Sequence, residues 1–206
     1  MSDSPRNRQE LAVQRLNQSA RRLLHQVRAT TAPPECLEEA TRALDRVSEI
    51  LEPFAHPGPF AQASLDGTSD LGSDFSDLIS LMPYSPIIGR LNPISPPLDF
   101  AVEGGVVRAR ARFPATFAGP TQCVHGGMVA ASFDELLAGV NVANELGAMT
   151  GTLTIRYRRP TPLFEEVQME GHCTGSEGRK VFAHGEMLAG GQVTAEAEGV
   201  FVIPRG

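Results

Sequence analysis

The segment His125–Leu146 limits what this chain can fold into more than any other. Met128, Val129, Ala131, Phe133, Leu136, Leu137, Val140, Val142 and Ala143 cover nearly every face of a helix drawn through it. A helix that is apolar all round has no solvent side and has to be enclosed. The flanking sequence offers the means. Before the segment, Leu98–Glu103 and Val106–Phe113 are short β-type runs on either side of Gly104-Gly105, the pattern of a hairpin. After it come four strand candidates, Met149–Arg159, Val167–Thr174, Lys180–Leu188 and Gln192–Ile203. Gly175–Gly178 and Gly190-Gly191 supply turns between the last three, so the four read as a meander. The expected class is α+β, an antiparallel sheet curled around one long buried helix.

The first half of the chain is different in kind. From Arg6 to Arg28, Leu11, Val13, Leu16, Ala20, Leu23, Leu24 and Val27 fall at helical spacings of three and four. Pro33-Pro34 breaks that helix, and a second is expected over Glu35–Glu52, with a stripe at Leu37, Ala40, Leu44, Val47 and Leu51 and a stop at Pro53. Residues 53–98 are rich in Pro, Gly, Ser and Asp and read as loop. A helical turn is expected near Asp74–Leu81 and a short strand near Ile87–Leu91. The division is therefore a helical extension over 1–53, a linker or wrapping loop over 54–97, and the sheet-and-helix domain over 98–206.

Charge and cysteine usage remove several function classes. The formal net charge is -6, which gives no general attraction to nucleic acid or an anionic membrane. Arg6, Arg8, Arg15, Arg21, Arg22 and Arg28 are basic, but their helices form no helix-turn-helix with a Gly turn. Cys36, Cys123 and Cys173 are an odd, sparse set without metal-ligand spacing, so neither a disulfide scaffold nor a metal site is expected. The charged start lacks a secretory apolar region, and no apolar run reaches membrane-spanning length. The expected compartment is the cytoplasm. With no Trp and 6% aromatics, any pocket is built mainly from aliphatic residues, Gly and Ala.

Two acids, Asp134 and Glu135, interrupt the apolar helix. Burying an unpartnered carboxylate costs several kcal/mol, so such a residue has either a task or a good partner. Neighbouring helical positions diverge by about 100°, so one of the pair at most faces a given site. The alternative is that both lie with Ser132 on a solvated strip. The helix opens on His125-Gly126-Gly127, whose free N–H groups favour negative charge and suit a developing oxyanion. The alternative here is a glycine turn that only permits close packing. Eight residues separate Gly126 from Asp134, roughly 12 Å along one helix, whereas a catalytic base sits within about 3 Å of its target. One helix therefore cannot bring both to one centre. Two such helices meeting across a twofold axis can, so a catalytic site here implies a dimer. Cys123 beside His125 suggests a thiol nucleophile, but nearness in sequence does not orient a Cys–His pair. His172 and His184 lack ligand spacing and read as structural.

The stretch from Phe117 through His125-Gly126-Gly127 to Asp134-Glu135 resembles the signature of hotdog-fold acyl-CoA thioesterases of the phenylacetyl-CoA (PaaI-like) type, in which an acid follows the His by nine residues. Thr150–Pro160, ending Tyr157-Arg158-Arg159-Pro160, resembles the family's next strand. The likeness covers roughly residues 98–204 and implies roles. Asp134 would be the general base for water, or the nucleophile. Gly126 N–H from the other subunit would polarise the thioester carbonyl, with help from Gly127. His125 would support the turn, and Thr150 would hold the carboxylate or water. No cofactor and no metal is implied, and the partners would be acyl-CoA and a second copy in a homodimer, larger assemblies being left open. The chain departs from some members at Gly119, where they carry Asn to orient water.

Arg156, Arg158 and Arg159 are candidates for the phosphate groups of CoA, since Arg suits phosphate. Arg156 and Arg158 share a polar face with Thr150, Thr152 and Thr154 if the strand has no bulge. The competing readings are a solvated strand end for these arginines and, for the whole chain, an acyl-CoA-binding or ligand-sensing module without turnover. A hydratase is a third possibility, but its Asp-His motif is not found.

Overall fold

The computed structural model describes residues 5–65 and 77–205. Helix α1 (Pro5–Ala29) and helix α2 (Pro34–Leu51) are separated by the expected proline break, and a 3₁₀ turn at Glu52–Phe54 ends the second. Pro34 stands in the first turn of α2, where its missing N–H costs nothing. A four-residue helix, α3 (Leu78–Leu81), is capped by Asp77, whose carboxylate accepts the Ser80 N–H. The rest of the expected turn, Asp74–Ser76, lies outside the described residues.

Six strands follow: β1 (Asp99–Glu103), β2 (Val106–Ala111), β3 (Met149–Tyr157), β4 (Val167–Glu177), β5 (Lys180–Ala189) and β6 (Gln192–Val202). Between β2 and β3 runs one unbroken helix, α4 (Gly126–Ala143). The strands form a single antiparallel sheet in the order β1-β2-β4-β5-β6-β3. This is the hotdog arrangement, with α4 packed on the inner face of the sheet.

Phe133, Leu136, Leu137 and Val140 of α4 are fully buried against Val107, Val167, Met187, Ala195 and Phe201 of the sheet. Burying each large side chain stabilises by about 1.5–3 kcal/mol. The helix lies close because the sheet beneath it has no side chains at Gly171 and Gly185, which pair across β4 and β5. A methyl group at either position would meet Leu136 and Leu137 at 3.1–3.2 Å. Leu78, Ile79, Leu81, Ile88 and Leu98 belong to the same core, so the segment before β1 wraps the unit.

Two expectations fail. The last four strands are not a simple meander, since only β4-β5-β6 run side by side. β2 and β5 already occupy both flanks of β4, so β3 pairs with β6 at the far edge. Nor is there a strand at Ile87–Leu91, where the chain makes turns. The Arg21 guanidinium of α1 gathers the carbonyls of Gly89 and Asn92 at 2.9 and 2.6 Å and the Ser95 hydroxyl at 2.7 Å. Acceptors that a β-ladder would need are thus committed to one cation. That contact pins α1 to the domain, and burial pushes the Arg21 guanidinium down from its ordinary value.

Candidate active site

The start of α4 is held by its own side chains and by its neighbours. His125 is the N-cap, with extended ψ of 132°, and its Nδ1 accepts the Gly127 N–H at 3.0 Å. The His125 carbonyl takes the N–H groups of Met128 and Val129 at 2.8 and 3.1 Å. Among the described residues no partner takes the Gly126 N–H, which is left as the open donor of the first turn. Tyr157, at the end of β3, donates its hydroxyl to the Gly126 carbonyl at 2.8 Å. Nothing in the sequence marks Tyr157 for this task beyond its place in the Tyr-x-x-Pro stretch.

The loop that leads into the helix is tight. Gly119 N–H donates to the Cys123 carbonyl at 2.7 Å, and His125 N–H to the Phe117 carbonyl at 2.9 Å. A side chain at residue 119 would put its Cβ 2.9 Å from the His125 Cα. Gly119 is thus required by the path of this loop, which accounts for the absence of Asn there. Cys123 is half-buried, and no hydrogen bond joins its thiol to His125 among the described residues.

Asp134 is half-buried on α4, and its Oδ1 accepts the Thr150 hydroxyl at 3.0 Å. The strand register explains how Thr150 reaches it. On β6, Ala195, Ala197, Gly199 and Phe201 are buried inward, while Glu196 and Glu198 point out. The β3–β6 pairing shifts between Thr150 and Thr152, a bulge at Gly151 that sets Thr150 opposite inward-facing Phe201. Such bulges re-aim one side chain without ending a strand. The single polar face expected for Thr150, Thr152, Thr154 and Arg156 is therefore divided. Thr150 turns to the helix, whereas Thr152 and Thr154 stay on the outer face with Arg156.

Glu135 goes elsewhere. It is half-buried and its Oε1 accepts the Ser85 hydroxyl at 2.9 Å. Burial pushes its carboxyl above the ordinary range, partly offset by the Ser85 hydrogen bond, with the Asp134 charge adding to the rise. The same Ser85 oxygen accepts the N–H groups of Ile87 and Ile88. Ser132 is fully buried and donates to the Met128 carbonyl. A shared solvated strip for Ser132, Asp134 and Glu135 is not what forms. The fifty-residue gap between Ser85 and Glu135 leaves no local signal for their contact.

The arginines lie on the other side of the sheet. Arg156 pairs with Glu198 at 2.9 Å and Arg158 with Glu196 at 2.8 Å, all four on the outer face. Arg159 donates to the Val193 carbonyl at 3.2 Å. His172 and His184 face each other on that surface with ring centroids 5.7 Å apart. No cluster of His, Cys, Asp and Glu suited to a metal occurs among the described residues.

Asp134 and Thr150 are thus brought together, and so are His125, Gly126 and Gly127, but the two groups stand about 12 Å apart along one helix. A solved structure described as a thioesterase superfamily protein is similar to this chain at 29% identity and TM-score 0.79, covering 92% of this chain and 90% of that one. A mutant of a hypothetical thioesterase from Streptococcus pneumoniae TIGR4 matches at 14% identity and TM-score 0.50, over 53% and 92% of the two chains. The E. coli PaaI protein from the phenylacetic acid degradation operon matches at 17% identity and TM-score 0.49, over 51% and 82%. No protein-family model and no curated protein matches the sequence. Strand order, buried helix and this full-length likeness together show the hotdog fold, and the chain is similar over most of its length to a protein described as a member of the thioesterase superfamily. No helix of the described residues is long and apolar enough to cross a membrane.

Proposed function

We propose that this protein hydrolyses acyl-CoA thioesters at a site shared by two copies of the chain, with Asp134 as the catalytic carboxylate. The observation that carries the proposal is the pairing of a half-buried Asp134, held by Thr150, with an unclaimed Gly126 N–H at the far end of the same helix. Each half needs the other, and the rise of an α-helix keeps them apart within one chain. Strand β3 offers the way to join them. It is an edge strand, with Thr150 near one end touching Asp134 and Tyr157 at the other touching Gly126. Antiparallel pairing of two β3 edges, centred on Thr154 because the bulged Gly151 takes no place in the ladder, sets Thr150 of one chain beside the partner subunit's Tyr157. Asp134 then faces Gly126 of the partner subunit.

In the shared site the Asp134 carboxylate takes a proton from water as the water oxygen bonds to the thioester carbonyl carbon. The displaced electron pair moves onto the carbonyl oxygen, where the partner's Gly126 N–H stabilises it at the positive end of a helix. Collapse breaks the C–S bond, and the leaving thiolate takes the proton from Asp134 to give free CoA and a carboxylic acid. Direct attack by Asp134 on the carbonyl, through an anhydride, uses the same geometry. The Gly127 N–H is committed to His125, so its part is to fix the turn that presents Gly126. Arg156, Arg158 and Arg159 are the proposed contacts for CoA phosphate groups. For the first two this means exchanging Glu198 and Glu196 for phosphate. We take residues 98–206 as the catalytic unit, 1–53 as an extension and 54–97 as the wrapping segment between them.

The test is release of free CoA from a panel of acyl-CoA esters. Asp134→Asn keeps the shape and an oxygen for Thr150 but removes the base, and turnover falls by about 10²–10⁴-fold. Turnover equal to wild type in a folded Asp134→Asn protein would refute the proposal.

A further inference from the structure

Helix α2 takes no part in the chemistry and is left without cover. None of its residues is buried, and Leu37, Leu44, Val47, Ile50 and Leu51 are between 38% and 67% exposed. An isolated helix of this length is marginal in water unless its apolar face is packed. The order of its side chains says what kind of surface fits. Leu37, Leu44 and Leu51 recur every seven residues, and so do Ala40 and Val47, three places on. That is the a/d seam of a helix that packs against another helix. Cys36, Ala43 and Ile50 widen the seam on one side, and Thr41 and Ser48 line the other. Glu35, Glu38, Glu39, Arg42, Asp45, Arg46 and Glu49 all fall at the positions turned away from it.

The flanks of such a seam are where charges select a foreign partner and repel an identical one. Here they are uncharged, so two identical copies can meet without opposing like charges. The extension is also anchored beside the proposed shared site. Helix α1 packs on the 3₁₀ turn Ala115–Phe117, whose last carbonyl holds the His125 N–H. Arg21 of the same helix grips the Gly89–Ser95 loop. We infer that the α2 seam is covered by a second copy of this chain, helix against helix. The proposed function enters this inference only through its requirement for a second copy.

The experiment compares three full-length proteins by sedimentation equilibrium over a dilution series. Leu44→Glu/Val47→Glu places two charges in the seam. Arg42→Gln/Arg46→Gln changes the net charge by the same amount outside it. The dimer dissociation constant is expected to rise at least 100-fold for the seam pair and to stay within threefold of wild type for the control. The seam residues are exposed in the single chain, so the substitutions leave its fold intact, and circular dichroism checks this. Leu44→Ala/Val47→Ala, which adds no charge, is expected to weaken the dimer in the same direction. A seam pair that dissociates like wild type, equal shifts in seam and control proteins, or a wild type that is monomeric throughout would each overturn the inference. Turnover by wild type and Asp134→Asn is read separately. Loss of the sedimentation effect with that difference intact rejects the seam alone. Equal turnover with the sedimentation effect intact rejects the chemistry alone.

Discussion

The Thr150 hydroxyl lies 3.0 Å from Asp134 Oδ1, tying the edge strand of the sheet to the middle of the buried helix. One hydrogen bond to a charged group contributes about 1.5–3 kcal/mol, and here it fixes the carboxylate's rotamer. Thr150→Ala is expected to lower turnover by about tenfold or more, with Thr150→Ser recovering most of it because the hydroxyl returns. Steady-state release of CoA by the two variants checks this. Equal losses in both would mean that the methyl group, and packing, is what matters.

Gly126 allows a cleaner test of the oxyanion donor than substitution by alanine would. Proline removes an N–H and is favoured at the first position of a helix. It also wants an extended residue before it, and His125 already has φ of -58° and ψ of 132°. Gly126→Pro should therefore fold with α4 intact, as judged by circular dichroism, while turnover falls by about 10²–10³-fold. Full activity in this variant would exclude the Gly126 N–H from the reaction.

Glu135 makes stability depend on pH in a known direction. Burial raises its carboxyl above the unfolded value of about 4.3. The folded chain therefore holds this proton to higher pH than the unfolded chain does. Its contribution is complete below the unfolded value and is lost as pH rises through the folded one. Glu135→Gln, which has no proton to lose and still offers Ser85 an oxygen, is expected to raise the melting temperature at neutral pH and to leave it unchanged near pH 3. Thermal melts of the two proteins across that range are the check. A variant less stable at neutral pH would mean that the charged form is the stabilising one.

The parts legible in the sequence are those set by local pattern. Apolar residues on nearly every face of Met128–Ala143 mark the buried helix, and glycine pairs such as Gly104-Gly105 and Gly190-Gly191 mark the hairpins. Asp134 stood out because a carboxylate on such a helix needs a reason. What escaped depends on contacts distant in sequence. Whether β3 pairs with β4 or β6 is decided by β2 taking the place beside β4. The bulge at Gly151, which turns Thr150 inward, is a matter of register against β6, where Val202 and the Val200 carbonyl leave little room for a side chain at residue 151. The Ile87–Leu91 segment has a β-like composition, but Arg21, nearly seventy residues earlier, collects its carbonyls. Glu135 and Ser85 meet only because the wrapping segment crosses α4.

A mixing experiment puts the shared site to the most direct trial. Asp134→Asn and Gly126→Pro chains, each inactive alone, are combined, dissociated and allowed to reassociate. Random pairing makes half of the dimers mixed, and in each of these one of the two sites joins an intact Asp134 to an intact Gly126 of the partner subunit. The mixture is then expected to recover about a quarter of wild-type CoA release. A mixture no more active than its parents, with mixed dimers present by mass, would contradict a site built across two subunits.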